Sequence, residues 1–245
     1  MIGIIKKNLV SEGKTKKIYT TNNPLEVLIH HKDNITALNG LKKNFLQDKG
    51  ILNNEITTLI FKFLNSCEIK THFIRKINNR EQLCHKVDPI PLEFVVRNIT
   101  SGSISKRLGI KEGISISNPI FEIFYKNDQL KDPLINDHHA VFLKVLSYEE
   151  LNIIYSMTSK INHYLKKYFL DKNILLVDFK IEFGKNHKNE IILSDEISPD
   201  TCRFWDKKTT KKLDKDLFRM GFKEEVFDIY MEILKRLNIS SSLSI

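Results

Sequence analysis

The segment Leu175-Leu176-Val177-Asp178-Phe179-Lys180-Ile181-Glu182-Phe183-Gly184 constrains this chain more than any other. Side chains of a strand alternate between faces, so Val177, Phe179, Ile181 and Phe183 cover one side while Asp178, Lys180 and Glu182 line the other. A polar turn over 185–189 leads into Glu190-Ile191-Ile192-Leu193-Ser194-Asp195-Glu196-Ile197-Ser198-Pro199-Asp200, which predicts a hairpin over about 174–198. If the second strand is regular, Ile191, Leu193, Asp195 and Ile197 share a face. An aspartate among aliphatics is costly to bury unless a cation, a metal or several hydrogen bonds compensate it. The hairpin thus predicts one neighbourhood for Asp178, Glu182 and Asp195, with Lys180 among them. Such oxygen ligands suit Mg²⁺ bridging nucleotide phosphates, for which one or two carboxylates suffice. The interposed lysine argues against a glycosidase pair. An amide at Glu182 or Asp195 should then abolish Mg²⁺-dependent turnover and, by relieving like-charge repulsion, hold or raise stability.

A chain of 245 residues can form one large domain or two small ones sharing a cleft. Strand-like runs lie at 16–20, 25–29, 71–75 and 82–87. Ile56, Leu59, Ile60, Phe63 and Leu64 recur at helical spacing, with Asn53 or Asn54 as the cap. Further helices are expected around 148–169 and, amphipathic, near 223–237. Strands and helices mix without regular alternation, which predicts an α+β fold of two lobes: residues 1–90 mainly β, residues 91–245 α+β. The boundary is set at Asp88-Pro89-Ile90-Pro91, a segment too proline-rich for an interior strand.

Composition excludes disordered, fibrous and membrane-spanning classes. The hydrophobic fraction is 41% and the charged fraction 28%, and no apolar run approaches the roughly 18–20 residues of a membrane span. Residues 1–7 lack the apolar core of an export signal, and Cys67, Cys84 and Cys202 lie far apart, so a cytoplasmic protein with reduced thiols is expected. The net charge of +9 could serve nucleic acid, but only 7 of the 39 basic residues are arginine and the lysines are scattered. No zinc-finger spacing or RNP-type motif accompanies them, and substrates bearing several phosphates or carboxylates would draw equal benefit from the field. His30-His31 and His138-His139 lack a metal-ligand spacing.

Three further segments could hold anions. In Ser11-Glu12-Gly13-Lys14-Thr15-Lys16-Lys17-Ile18 a glycine between strand-like runs lets turn amides approach a phosphate, with Lys14 and Lys16 to neutralise it. It is not a Walker loop, which opens a helix. Glu93 to Arg107 carries Arg97 into a turn containing Ser101, Gly102 and Ser103. Ser198 to Asp206 carries Arg203, whose fork suits a bidentate phosphate or carboxylate but could also brace the loop against Asp206.

In this order, the segments resemble the SAICAR synthetase family of purine biosynthesis, in its single-function bacterial type. The match runs from Glu12-Gly13-Lys14-Thr15-Lys16 through Val95-Val96-Arg97-Asn98, Gly102-Ser103 and Lys126-Asn127-Asp128. It continues through Asp178-Phe179-Lys180-Ile181-Glu182-Phe183-Gly184 and Asp195-Glu196-Ile197-Ser198-Pro199-Asp200 to Arg203, Trp205-Asp206 and Phe218-Arg219. Leu38 stands where that family more often has a small or aromatic residue. The resemblance implies an ATP-dependent ligase joining L-aspartate to the carboxylate of CAIR, a phosphoribosyl aminoimidazole carboxylate, with a nucleotide lobe like those of kinases and ATP-grasp enzymes. It implies ATP binding by Gly13, Lys14, Thr15, Lys16, Ile18 and Lys86, and Mg²⁺ held by Glu182 and Asp195. Arg97, Ser103, Lys126, Arg203 and Arg219 would bind CAIR, while Asp178, Lys180 and Asp200 line the reacting centre. It allows a homodimer and gives no role to nucleic acid or membrane. A small-molecule kinase and a basic nucleic-acid-binding protein are the competing classes.

Overall fold

The computed structural model describes residues 3–37, 42–222 and 225–239, so Leu38 and the first two residues of the expected C-terminal helix lie outside it. The first part of the chain forms β1 (Lys6–Glu12), β2 (Lys16–Thr21), β3 (Glu26–His31), the small pair β4 (Asn34–Ala37) and β5 (Lys42–Phe45), then α1 (Lys49–Ser66), β6 (Phe73–Lys76) and β7 (Glu81–His85). There follow β8 (Asp88–Ile99), α2 (Ser103–Leu108), β9 (Ser115–Tyr125), β10 (Leu134–Ile135), α3 (Asp137–Phe142) and α4 (Tyr148–Leu170). The chain ends with β11 (Ile174–Lys185), β12 (Ile191–Ser194), β13 (Cys202–Asp206), α5 (Asp216–Met220) and α6 (Glu225–Asn238). One antiparallel sheet has the order β1-β2-β3-β7-β6; a second runs β10-β9-β8-β11-β12, with β13 also paired to β11. This is the mixed α+β architecture expected.

Local chemistry explains most boundaries. Ser147 caps α4 reciprocally: its hydroxyl accepts the Glu150 N–H at 3.2 Å while the Glu150 carboxylate accepts the Ser147 N–H at 2.9 Å. Helix α1 starts four residues before Asn53, and neither Asn53 nor Asn54 caps it. Both are buried in the helix, where Asn53 donates to Asp200 at 2.6 Å and Asn54 to the Asn78 carbonyl at 2.9 Å. The tertiary contacts took these amides from the capping role.

The proline-rich segment is also a correction, because Asp88 to Pro91 form the first residues of β8, a strand with neighbours on both sides. Pro89 pairs with Gly184 of β11, whereas β9 comes alongside only from Leu92. The Pro91 carbonyl accepts Lys126 N–H on the β9 side, so by alternation both proline nitrogens face that open edge. The missing N–H groups break no ladder bond. Where β11 bulges between Glu182 and Gly184, a Cβ at Gly184 would stand 2.6 Å from Val87 Cγ2. The bulge requires a residue without one.

A continuous core joins the two sheets. Phe94, Phe179, Ile181 and Phe183 pack with Leu151, Ile154, Ile161 and Leu165 of α4, and with Ile56, Ile60 and Leu64 of α1. A parallel bridge from Thr71 to Leu193 ties the strand before Asp195 to the entry of β6, with His72 N–H donating to Leu193 at 2.8 Å. His31 and His72 are buried beside Lys16, and each has an Nε2 without a hydrogen-bond partner.

Two predictions follow from this packing. Gly184→Ala should destabilise the fold by about 1–3 kcal/mol through overpacking; an unchanged denaturant midpoint would refute the close approach. Burial, reinforced by Lys16, pushes His31 down to about 3 and His72 down to about 4. As pH falls from about 6.5 toward those values, the unfolded chain binds protons that the folded one refuses, so stability should drop by up to about 1.4 kcal/mol per unit for each imidazole. Urea titrations at pH 7 and 5 should show that drop, and His31→Gln should lessen it; an equal drop in the variant would remove His31 from the account.

Candidate active site

Two polar pockets meet beside the second sheet. The first, about 680 Å³, is lined by Gly13, Lys14, Thr15 and Lys16 of the β1–β2 turn, by Lys126, Lys180 and Glu182, and by Asp195, Glu196 and Asp200 of the loop after β12. The second, about 450 Å³, is lined by Arg97, Ser103, Asp178, Arg203 and Arg219. Glu93, Asp132, Lys180, Asp200 and Thr201 line both.

In the first pocket, ammonium groups and carboxylates alternate. Lys180 donates to Glu182 at 2.6 Å and to Glu93 at 2.9 Å, and stands 3.6 Å from Asp195. Lys126 holds the other oxygen of Glu182, and Lys16 holds Asp195 while lying 3.3 Å from Glu196. Burial disfavours the charge on Lys180, but Glu182, Asp195 and Glu93 outweigh it and keep the amine well above the ordinary lysine range. Burial likewise opposes ionisation of Asp195, yet Lys16 and Lys180 hold it well below the ordinary carboxylate range. The β1–β2 turn closes with Gly13 N–H donating to Lys16 at 2.9 Å. Its next three residues reach across the cleft: Lys14 to Asp128 at 3.2 Å, Thr15 to Glu196 at 3.5 Å, and Lys16 to Asp195.

Asp195 corrects the regular-strand expectation. Strand β12 ends at Ser194, and Asp195 takes φ 66°, which swings its carboxylate into the cleft while Leu193 remains in the core. The expected grouping of three acids divides accordingly. Glu182 and Asp195 share Lys180, whereas Asp178 belongs to the second pocket.

There, adjacent strands β9, β8, β11 and β13 each place one charged side chain on the face turned away from α4. Arg97 donates to Glu122 at 3.1 and 2.9 Å and to Asp178 at 2.7 Å. Arg203 donates to Asp178 at 2.9 Å and to Asp216 at 2.8 Å. Arg107 of α2 closes one end on Glu122, and Arg219 of α5 the other on Asp216. The row is Arg107–Glu122–Arg97–Asp178–Arg203–Asp216–Arg219, four guanidinium groups against three carboxylates, so one positive charge remains in excess. Ser103 accepts from Arg97 at 3.0 Å. Gly102, at φ 63°, lets Arg203 lie against its turn: a Cβ there would stand 2.6 Å from Nη2. Asp206 does not brace Arg203; its partner is Arg236, at 2.8 Å.

Asp200 is saturated by four donors: Lys49, Lys215 at 3.1 Å, Asn53 at 2.6 Å and the Tyr230 hydroxyl at 3.1 Å. It knits α1, α6 and the segment before α5 into the floor of the cleft. Lys126 sits with Glu182 and not among the arginines. Ile18 packs on Val27, Ile29 and Cys84 and lines neither pocket. Lys86 is exposed, its N–H bonded to the Leu25 carbonyl at 2.8 Å. Sequence reasoning missed Lys49, Lys215, Glu122 and Asp216 as contributors. Glu93 could have been found from the alternation that puts it on one face with Arg97; the other four come together only in the tertiary fold.

Comparison with known proteins accords with this geometry. The model of the SAICAR synthetase family matches residues 9–237. A phosphoribosylaminoimidazole-succinocarboxamide synthase of Fusobacterium nucleatum is 57% identical over 232 residues, covering 95% of this chain and 98% of its own. The crystal structure of the corresponding synthase from Ehrlichia chaffeensis superposes with a TM-score of 0.92 at 45% identity, over 94% of this chain and 98% of that one. A SAICAR synthetase in complex with ADP gives a TM-score of 0.90 at 44% identity, with the same two coverages. With its charged cleft assembled from the motifs along nearly its whole length, the chain belongs to the SAICAR synthetase family.

Proposed function

We propose that the lysine-rich pocket takes the phosphates of ATP, that the arginine row takes CAIR, and that the two react where the pockets meet. The chain is an ATP-dependent ligase of purine biosynthesis, joining L-aspartate to CAIR to give SAICAR, ADP and phosphate. The observation that carries the assignment of sites is the junction: Lys180 and Asp200 line both pockets, so a carboxylate held on one side can meet a phosphoryl group held on the other. A relative was solved in complex with ADP, which supports nucleotide binding by this chain.

Glu182 and Asp195 would hold Mg²⁺. Both are oxygen donors facing one ammonium, and Asp195 is kept ionised. Among the described residues no cluster of three or more acidic, histidine or cysteine ligands is present, which suits a cation that completes its shell with phosphates and water. When bound, the ion neutralises phosphate charge during phosphoryl transfer.

The amides and cations of Gly13–Lys16 hold the ATP phosphates, while Ile18 and Lys86 line neither pocket and are given no contact with them. Arg97, Ser103, Arg203 and Arg219 fix the anionic groups of CAIR, with Lys126 at the phosphate side. A CAIR carboxylate oxygen attacks the γ-phosphorus and ADP leaves; the aspartate amine then attacks the acyl carbon, and phosphate departs with the C–N bond formed. Lys180 faces the charge that develops on the transferred group. Asp178 orients two arginines, and Asp200 pairs with Lys49 and Lys215 at the cleft floor. We read residues 1–90 as the nucleotide lobe and 91–245 as the substrate lobe. The reading also takes the enzyme as cytoplasmic and allows a homodimer.

The deciding assay is ADP release from ATP and CAIR with and without L-aspartate. Stoichiometric release with SAICAR formation is expected; aspartate-independent turnover to a stable phosphorylated product would make the chain a kinase. Glu182→Gln and Asp195→Asn should each lower Mg²⁺-dependent turnover at least about a hundredfold. They should also lower the melting temperature, because each removes the counter-charge of lysines and relieves no repulsion between bare acids. Unchanged Mg²⁺ dependence would remove that residue from the metal site. Arg203→Lys should cost about tenfold or more in kcat/KM for CAIR, about 1.4 kcal/mol, with the KM for ATP little changed. Loss of its bonds to Asp178 and Asp216 should lower the melting temperature too. A destabilised enzyme with unaltered CAIR kinetics would leave Arg203 a purely structural role.

A further inference from the structure

We propose that Glu122 is a positioning residue for CAIR, acting through Arg97; this rests on the assignment of the arginine row to CAIR. Glu122 does not line the pocket. It lies on β9 diagonally across from Arg97, on the same sheet face, and is 8% exposed. One of its oxygens accepts both Nε and Nη2 of Arg97, at 3.1 and 2.9 Å. Two bonds to one oxygen fix the guanidinium plane as well as its position. Ser103 takes the remaining Nη2 proton at 3.0 Å, and Asp178 takes one Nη1 proton at 2.7 Å. Four of the five guanidinium protons are thereby committed, and the fifth, on Nη1, is left for a substrate anion.

A buried carboxylate behind the pocket would by itself repel an anionic substrate. Arg107 offsets this by holding the other oxygen of Glu122 from α2, 34% exposed at its own side chain. Two guanidinium groups thus share one acid, so Arg97 is oriented by Glu122 without having its charge cancelled. Arg203 is held in a comparable way, between Asp178 and Asp216, but there both flanking acids serve a second arginine already assigned to the pocket. Glu122 and Arg107 extend the row to residues that never meet the substrate.

The test is steady-state kinetics on purified Glu122→Gln, which keeps an acceptor oxygen but loses the charge and the twofold hold on Arg97. The KM for CAIR should rise about tenfold, with the KM for ATP and kcat each changed by less than about threefold. In an Arg97→Lys background the same substitution should add less than about twofold, since an effect transmitted through Arg97 cannot be lost twice. Multiplicative losses, or equal rises in both KM values, would overturn the proposal in favour of general destabilisation. If Glu122→Gln does not fold, Arg107→Gln carries the test: freeing the second oxygen should raise the KM for CAIR about threefold at constant KM for ATP. Unaltered CAIR kinetics in either folded variant would also overturn it. Wild-type enzyme run in parallel separates the two levels, because absence of CAIR-dependent ADP release there would refute the assigned reaction and not the role of Glu122.

Discussion

Everything in the arginine-lined half of this cleft depends on charges that alternate across four neighbouring strands. Each carboxylate of the row touches two guanidinium groups, so no member can be removed without exposing its neighbours to an uncompensated charge. Buried ion pairs are weak evidence of stability, because desolvation consumes much of the attraction. Their use here is geometric. Cross-strand spacing sets the distance between anchors, the bidentate fork sets their orientation, and the core beneath, through Phe94, Phe179 and Phe204, keeps the strands from sliding.

The two pockets use different cations for physical reasons. Arginine, scarce in the chain, is concentrated where a fixed planar fork is wanted. Lysine occupies the pocket proposed for the phosphates, where Lys14, Lys16, Lys126 and Lys180 are point charges on flexible stems, suited to a group that changes partners. The overall positive charge that left nucleic acid open as a reading is, in this cleft, largely neutralised by partner carboxylates.

Much of this was legible before any coordinates. Alternation over 178–183 correctly put Asp178, Lys180 and Glu182 opposite Phe179, Ile181 and Phe183, because side-chain period is a local property; a bulge between Leu176 and Asp178 breaks it, so that Leu176 and not Val177 joins that core. The hairpin and the long helix α4 were visible for the same reason. Asn53 misled because its capping propensity was overridden by two carboxylates 143 and 147 residues away. The prolines of β8 misled because tolerance there depends on where β9 stops, which no local pattern records. Asp195 was found as a residue but misplaced in register, since its left-handed backbone lies outside any strand periodicity. Lys49 is buried against an acid whose identity only the tertiary fold reveals.

The turn over Gly13–Lys16 is fastened by three successive side chains to acids on two other loops. On the proposed assignment, phosphate oxygens entering there would take ammonium groups already engaged. Were Lys16 to leave Asp195 for a phosphate, it would strand a buried anion at the moment another anion arrives. A divalent cation held by Asp195 and Glu182, as proposed, would offset that charge. On the proposed assignment the cleft would act as an exchanger in which net charge stays nearly constant, favouring a metal–nucleotide complex over either component.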